Sequence, residues 1–118
     1  MISKLCKIRD IQHAINRYET EFEKLYGICL NEGMVLCSLS ETDHLSSGEL
    51  GELLGLTPSN TSKVIASVEK KKLIRRVMGK TDKRQMYFLI TDKGRACIDS
   101  IRCDNSPLPE ILKGIVEE

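Results

Sequence analysis

The first part of the chain carries its apolar side chains at helical intervals. Between residues 5 and 26, steps of three or four residues separate the apolar positions Leu5, Ile8, Ile11, Ile15, Tyr18, Phe22 and Leu25. This spacing places them along one stripe of a single long helix, with charged and polar side chains on the opposite face. Because a helix of this length exceeds the span of a small core, we expect part of the stripe to pack against another helix or a second subunit.

Two short helices are predicted near the middle of the chain. Ser46 and Glu49 fit a capping box, in which a hydroxyl accepts a free backbone N–H and the carboxylate reaches back, and Gly55 ends the helix that follows. Thr57 followed by Pro58 predicts another helix, because threonine caps well and proline at the first helical position loses no needed donor. The core face of this helix comprises Thr61, Val64, Ile65 and Val68. Two short helices joined by about three residues are typical of a helix-turn-helix.

Three more helices are predicted around this pair. Asn31 is the expected N-cap of a helix that runs to Leu39, and residues 41–44 are expected to form a loop. Residues 91–94 begin a helix whose apolar positions are Ala96, Cys97, Ile98 and Ile101. Residues 105–109 interrupt it, and a last short helix carries Ile111, Leu112, Ile115 and Val116.

A β-hairpin is predicted between the helix-turn-helix and the last helices. Residues 73–78 are rich in apolar and β-branched side chains, and residues 85–91 alternate between two faces. The polar segment 79–84 between them begins with glycine. The order of helix, helix-turn-helix and hairpin predicts a winged helix-turn-helix, mainly α with a small β-hairpin wing, in a single domain of residues 1–118 with its core at 30–91.

Charge is distributed unevenly along the chain. Residues 57–95 hold eleven Lys and Arg against three Asp and Glu, whereas 1–56 hold five against nine and 96–118 hold two against five. A basic block between acidic flanks is typical of a local polyanion site. There is no apolar run of about 18 residues and the first ten residues carry charges throughout, so we expect neither a membrane span nor a secretory signal.

The second helix of the pair supplies the first set of candidate DNA contacts. In a helix-turn-helix this helix enters the major groove, where the base edges present a readable pattern of donors and acceptors. Its predicted exposed face holds short polar side chains and one cation, which can bond phosphates and base edges: Ser59, Asn60, Ser62, Lys63 and Ser67. Polar or basic residues flanking these features complete the helix-turn-helix set: Ser46, Ser47, Thr57 and Arg76.

The hairpin loop supplies the second set of candidate contacts, Lys80, Asp82, Lys83 and Arg84. An arginine at the tip of a hairpin can enter a narrow minor groove, where the negative potential is greatest. Asp82 can hold the guanidinium of Arg84 by a bidentate pair. A turn aspartate beside a surface arginine would look the same, so this loop is informative only together with the helix-turn-helix.

Five cysteines, at positions 6, 29, 37, 97 and 103, do not suggest a disulfide framework, because their number is odd and no C-x-x-C occurs. We expect reduced thiols in a cytoplasmic protein. A redox sensor remains an alternative, with Cys6 as the candidate because Lys4 and Lys7 flank it and nearby cations favour the thiolate.

Catalysis, a metal site and a bound cofactor are not expected. The only histidines are His13, off the apolar stripe, and His44, in a loop near Asp43 and Glu41, where a solvated side chain is the ordinary outcome. Catalysis would need a nucleophile with its base or a metal cage, and a role of His44 as a metal ligand is the minor alternative. The main alternative to DNA binding is a winged-helix module for protein interaction or dimerisation, which would need neither Arg84 nor the basic block.

Four segments in order resemble the MarR family of bacterial regulators: residues 56–65, residues 68–74, the run Asp82-Lys83-Arg84 and residues 89–94. The wing of that family carries an Asp-x-Arg motif, matched by Asp82 and Arg84. Its wing closes with a Leu-Thr-x-x-Gly pattern, matched loosely by Ile90, Thr91 and Gly94. The resemblance covers roughly residues 20 to 102.

The resemblance implies a homodimer held by helices at both ends of the chain, here residues 1–29 and 92–118. Each subunit would present one helix to half of a roughly palindromic operator in double-stranded DNA. Many members of the family repress transcription and release DNA when a small molecule binds or a cysteine is oxidised, so a small-molecule effector is a possible partner.

This chain departs from the family pattern in two places. Lys72 stands where the family usually has glycine before the wing strand, and a left-handed turn there would cost a residue with a side chain about 1–2 kcal/mol. The bend is therefore open to a different geometry. The chain is also short for the family after residue 102, which leaves the extent of the dimer interface open.

Overall fold

The computed structural model describes residues 3–82, 84–103 and 108–116. These residues form two units, one with the described residues up to Cys29 and from Leu108 onward, the other spanning Leu30–Cys103. The first unit contains α1 (Lys4–Tyr26) and α6 (Glu110–Val116). The second contains α2 (Leu30–Glu41), β1 (Leu45–Ser46), α3 (Ser47–Leu54), α4 (Pro58–Lys70), β2 (Ile74–Met78), β3 (Met86–Ile90) and α5 (Asp92–Cys103). Helix α5 therefore lies in the same unit as the winged helix-turn-helix.

The predicted long helix is confirmed as α1, but much of its apolar stripe faces solvent. The helix begins where the Ser3 hydroxyl accepts the backbone N–H of Cys6 and ends at Gly27, whose φ of 72° is left-handed. On the stripe, Phe22 is 5% exposed, whereas Leu5 is 78% and Ile8 51% exposed. A stripe of this kind remains available to cover another apolar surface.

Helix α2 starts one residue earlier than the sequence suggests. Leu30 is its first residue, so Asn31 lies in the first turn and the prediction that Asn31 caps the helix is wrong. The earlier start places the carboxylate of Glu32 in the first turn, where it is favourable to the helix dipole, and Glu32 is buried there. Tertiary packing of this turn outweighs the local capping preference of asparagine.

A three-stranded antiparallel sheet closes the second unit, in the order β1-β3-β2. The hairpin pairs Ile74 with Ile90 and Met78 with Met86, and the two-residue strand β1 pairs Leu45 with Phe88. The hairpin is confirmed, whereas β1 was not predicted. The inner face of the sheet packs on helical side chains to form the core, whose buried members include Leu36, Leu39, Leu50, Val68, Ile74, Phe88 and Ile90.

The turn between α4 and β2 keeps a left-handed bend although it lacks glycine. Lys72 has a φ of 63°. Its N–H donates to the carbonyl of Glu69 at 2.9 Å, and its own carbonyl accepts the Thr91 hydroxyl at 2.8 Å. These bonds hold Lys72 in a conformation that is unfavourable for a residue with a side chain, so the left-handed bend forms at the cost of backbone strain.

Candidate nucleic-acid interface

The start of α3 is fixed by the predicted capping box, which is confirmed. The Ser46 hydroxyl accepts the backbone N–H of Glu49 at 3.2 Å, and the Glu49 carboxylate accepts the backbone N–H of Ser46 at 3.0 Å. Two otherwise unpaired donors are thereby satisfied. The Ser46 hydroxyl is thus engaged in the cap, while Ser47 is exposed at the first position of the helix.

Helices α3 and α4 approach each other closely at Gly51 and Thr61. A Cβ on Gly51 would lie 2.9 Å from the Thr61 hydroxyl oxygen, so a side chain there would push the helices apart. Thr61 is buried, and its hydroxyl donates to the carbonyl of Thr57 at 2.8 Å. The left-handed Gly55, with φ 68°, turns the chain between the two helices. These contacts fix the position of α4 against α3.

The first turns of α4 present polar side chains to solvent. The Thr57 hydroxyl caps the helix by accepting the backbone N–H of Asn60 at 3.2 Å, and Pro58 is the first helical residue. Opposite the core face, the structure brings together exposed side chains on a single surface, Ser59, Asn60, Ser62 and Lys63. This surface offers hydroxyl, amide and ammonium groups at the positive end of the helix dipole, which favours an anionic partner.

Ser67 does not belong to this surface. It is half-buried, and its hydroxyl donates to Glu32 Oε2 at 2.9 Å. Lys71 Nζ bonds the same carboxylate at 2.9 and 2.8 Å, and the Glu32 side chain is only 6% exposed. The sequence analysis placed Ser67 on the exposed face of the helix, which is wrong, because Ser67 supports the end of α4 by satisfying a buried carboxylate.

Arg76 also differs from a free surface cation. Its Nε and Nη2 donate to the two carboxylate oxygens of Glu69, each at 2.9 Å, and its guanidinium lies 5.6 Å from the ring centre of Phe88. The hydrogen bonds from Arg76 lower the pKa of Glu69 below its ordinary value. Arg76 therefore links β2 to the end of α4, a partnership that the sequence analysis missed.

The hairpin loop is held by its own hydrogen bonds and leaves its arginine in solvent. Gly79 donates to the Gln85 carbonyl at 2.8 Å, and Asp82 Oδ1 accepts both the backbone N–H of Arg84 at 2.9 Å and its Nε at 3.3 Å. A bidentate pair was expected, but a single carboxylate oxygen makes both contacts, because the short loop bends the Arg84 backbone onto it. The Arg84 side chain is 92% exposed.

The other two cations predicted in the loop are Lys80 and Lys83. Lys80 is exposed at the start of the loop. Lys83 lies outside the described residues. The described part of the loop thus presents Lys80 and Arg84 to solvent, on the hairpin that follows the helix-turn-helix.

The cysteines differ in their suitability for thiol chemistry. Cys6 is half-buried near the start of α1. Burial raises the pKa of the Cys97 thiol, and the Glu32 carboxylate raises it further. A thiol held in its protonated form is a poor nucleophile, so Cys97 is the less suitable sensor.

Residues 3–82, 84–103 and 108–116 were compared with what a metal site and a membrane-spanning helix require. These residues contain no group of three or more His, Cys, Asp and Glu side chains able to hold a metal ion. His44 is exposed, with a φ of 60°. No helix in the same ranges is both long and apolar enough to cross a membrane.

Comparison with known proteins adds to this geometry. The sequence profile of the MarR family matches residues 28–86, half of the chain. A curated relative from Bacillus subtilis strain 168, the uncharacterized HTH-type transcriptional regulator YwaE, is 28% identical over 109 residues. The match covers 92% of this chain and 60% of the relative, so the chain spans about three fifths of that protein's length.

Solved structures share the fold. The Staphylococcus aureus MepR–DNA complex superposes with a TM-score of 0.78 at 21% identity, covering 86% of this chain and 76% of the other. The YusO protein from Bacillus subtilis gives a TM-score of 0.68 at 24% identity, covering 86% and 77%. Both likenesses concern the arrangement of helices, helix-turn-helix and wing.

Proposed function

This chain belongs to the MarR family, and from that membership we propose that it binds double-stranded DNA sequence-specifically and regulates transcription as a homodimer, without catalysing a reaction. The observation that carries the proposal is the exposed polar surface at the start of α4, with the solvent-exposed Arg84 on the wing of the same unit. In support, the MepR structure of similar fold is a complex with DNA.

In this proposal α4 enters the major groove. The amide of Asn60 and the ammonium of Lys63 read base edges, as asparagine reads adenine and lysine reads guanine. The hydroxyls of Ser47, Ser59 and Ser62 bond phosphates and fix the register without reading sequence. Arg84 reaches the minor groove beside the site, where negative potential attracts a guanidinium.

The exposed stripe of α1 supports the proposed self-association. Leu5, Ile8 and Leu25 are each more than half exposed within one chain. A second copy would cover these side chains, and a two-fold protein matches a palindromic operator with half-sites about one helical turn apart. The stripe alone would also suit the alternative of a dimerisation module without DNA binding.

We further propose that the protein acts in the cytoplasm as a repressor, released when a small ligand binds or a thiol is oxidised. Cys6 is the candidate thiol, because Lys4 and Lys7 flank it and nearby cations favour the thiolate. The groove between α1 and α6, about 680 Å³ in volume, is open and lined partly by the charged side chains of Asp10, Arg17 and Glu110. It lacks the apolar enclosure of a typical ligand pocket, so we assign no effector to it.

Selection from a random pool of 30-bp duplexes tests the proposal. The wild-type protein should enrich a sequence with two related half-sites. On that duplex, Lys63→Ala should weaken binding by about 1–3 kcal/mol, with a smaller loss on the unselected pool. Lys70→Ala removes an exposed cation from the last turn of the same helix and serves as the matched control. Failure to enrich any duplex would reject DNA reading in favour of the dimerisation module.

A further inference from the structure

We propose that Glu69 and Arg76 form a brace that sets the orientation of the wing relative to α4. Arg76 then supports DNA binding through this orientation and is a positioning residue, not a DNA contact. This inference rests on the proposed function, and it reassigns a cation that the sequence had placed in the DNA interface.

The brace has the geometry of a specific pair. Two guanidinium nitrogens of Arg76 meet the two carboxylate oxygens of Glu69, both at 2.9 Å. The two side chains are partly covered, at 51% and 30% exposure. A two-pronged contact fixes direction as well as distance, which a single surface ion pair does not.

The same guanidinium contacts the other strand of the hairpin. Arg76 lies directly opposite Phe88 in the register, and its guanidinium carbon is 5.6 Å from the Phe88 ring centre. Phe88 is buried and also pairs with Leu45 on β1. Arg76 therefore joins the end of α4 to both strands of the wing and, through Phe88, to the core.

Beyond the brace the inner face of the hairpin leaves the core. Ile74 and Ile90 are buried on this face, but the next pair outward from Arg76 and Phe88 is Met78 and Met86, at 58% and 38% exposure. Among the described residues, the pair of Glu69 and Arg76 is thus the outermost hydrogen-bonded contact between α4 and the hairpin. The loop with Arg84 begins at Gly79, three residues beyond Arg76 and about 10 Å farther along the strand, so a rotation at the brace is enlarged at the loop.

A brace and a direct contact predict opposite results for Glu69. If Arg76 bonds a phosphate, removing the negative charge of Glu69 frees the guanidinium and lowers repulsion of DNA, so binding tightens. If the pair orients the wing, the same change weakens binding despite the favourable change of charge. The two accounts also separate for Arg76→Lys, which keeps the charge but loses the two-pronged geometry.

The experiment compares Glu69→Gln, Arg76→Lys, Arg76→Ala and the double variant Glu69→Gln/Arg76→Ala. Glu52→Gln and Arg75→Ala are the matched controls, because each removes one exposed charge of the same sign from the same unit. The probes are a 30-bp duplex enriched by the wild-type protein and the unselected pool, each titrated by fluorescence anisotropy at several salt concentrations.

For a brace, all three single variants should weaken binding to the selected duplex by roughly fivefold, the equivalent of about 1 kcal/mol. The double variant should bind the selected duplex no more weakly than either single variant, because both substitutions disrupt the same interaction. The slope of affinity against salt should change equally in all three single variants and by no more than in Arg84→Ala, since the DNA contact that a displaced wing loses is that of Arg84. Affinity for the pool should change less, which a general loss of folded protein would not produce.

A readout without DNA keeps this inference separate from the proposed function. Residual dipolar couplings of backbone amides in α4, β2 and β3 report the angle between helix and hairpin in the free protein. Glu69→Gln and Arg76→Lys should change or average this angle, and Glu52→Gln should not. If the wild type selects no duplex, the proposed function fails and the couplings alone decide the brace. Unchanged couplings, or tighter binding by Glu69→Gln, would overturn it.

Discussion

Asp82 places a negative charge in a loop that is otherwise basic, and both described hydrogen bonds of its carboxylate go to Arg84. Arg84→Ala should weaken DNA binding and make the salt dependence shallower, by about one counterion per subunit if the side chain neutralises one phosphate charge. Asp82→Ala removes a negative charge beside DNA, so electrostatics alone predicts tighter binding. If Asp82 orients Arg84, its loss weakens binding instead. Titration of both variants at several salt concentrations measures the sign.

The structure sharpens that expectation. Asp82 Oδ1 holds the Arg84 backbone at 2.9 Å and its Nε at 3.3 Å, while the Arg84 side chain is 92% exposed. The carboxylate therefore shapes the loop more than it immobilises the guanidinium. Lys80→Ala, which removes an exposed cation from the same loop, is the control for charge alone. Tighter binding by Asp82→Ala, with Arg84→Ala close to wild type, would leave only a basic surface loop.

At Gly94, the first turn of α5 lies too close to the backbone of Leu73 for any side chain to fit. A Cβ there would lie 2.2 Å from the Leu73 carbonyl oxygen and 2.7 Å from Ile90 Cγ1. Gly94→Ala should destabilise the protein by about 1–3 kcal/mol, because the obstacle is backbone that cannot rotate away. Gly48→Ala is the control, since its Cβ would meet only the Ser46 hydroxyl oxygen at 3.9 Å. Thermal unfolding followed by circular dichroism should show a lower Tm for Gly94→Ala alone; equal melting would contradict the close approach.

At the scale of elements, the contact between α4 and the wing should depend on pH. Arg76 depresses the pKa of Glu69 in the folded protein. A depressed carboxyl pKa stabilises the fold above the unfolded value, and this contribution is lost as the pH falls through the folded value. The stability difference between wild type and Glu69→Gln should therefore shrink in acid. Urea unfolding across a pH series tests this, and a difference that grows as the pH falls would show the sign to be wrong.

Elements encoded by neighbouring residues could be predicted from the sequence, and those that depend on distant pairing could not. The cap at Thr57 and the capping box at Ser46 involve residues three positions apart, so their pattern is visible along the chain. Strand β1 has only two residues and exists because Leu45 meets Phe88, 43 positions later. No local pattern encodes such a strand.

The candidate interface shows the same division. The exposed side chains of Asn60 and Lys63 follow from helical periodicity and the position of the core face. The partners of Arg76 and Ser67 do not, because Ser67 meets Glu32 on another helix and Arg76 meets Glu69 across a turn. From the sequence alone, a polar side chain such as Ser67 is assigned to the surface. Its role in the interior becomes apparent only when the structure shows the buried carboxylate to which it donates a hydrogen bond.

At the scale of the whole molecule, the proposed function depends on whether two chains associate into a dimer. We expect a dimer in solution at micromolar concentration, measured by sedimentation equilibrium. Leu5→Glu combined with Ile8→Glu should raise the dimer dissociation constant at least about tenfold, because each exposed apolar side chain contributes about 1.5–3 kcal/mol when buried. Leu53→Glu, at an exposed leucine on α3, is the control. A wild-type monomer at high concentration would contradict the proposed homodimer.

In the proposed homodimer, the apolar stripe along α1 would also tie the number of chains in a cell to the fraction of operators occupied. When the chain concentration is below the dimer dissociation constant, the dimer concentration varies as the square of the chain concentration. Halving the number of chains therefore lowers the number of dimers about fourfold. In that dimer, occupancy of the operators would thus depend steeply on the number of chains, without any cooperativity along the DNA.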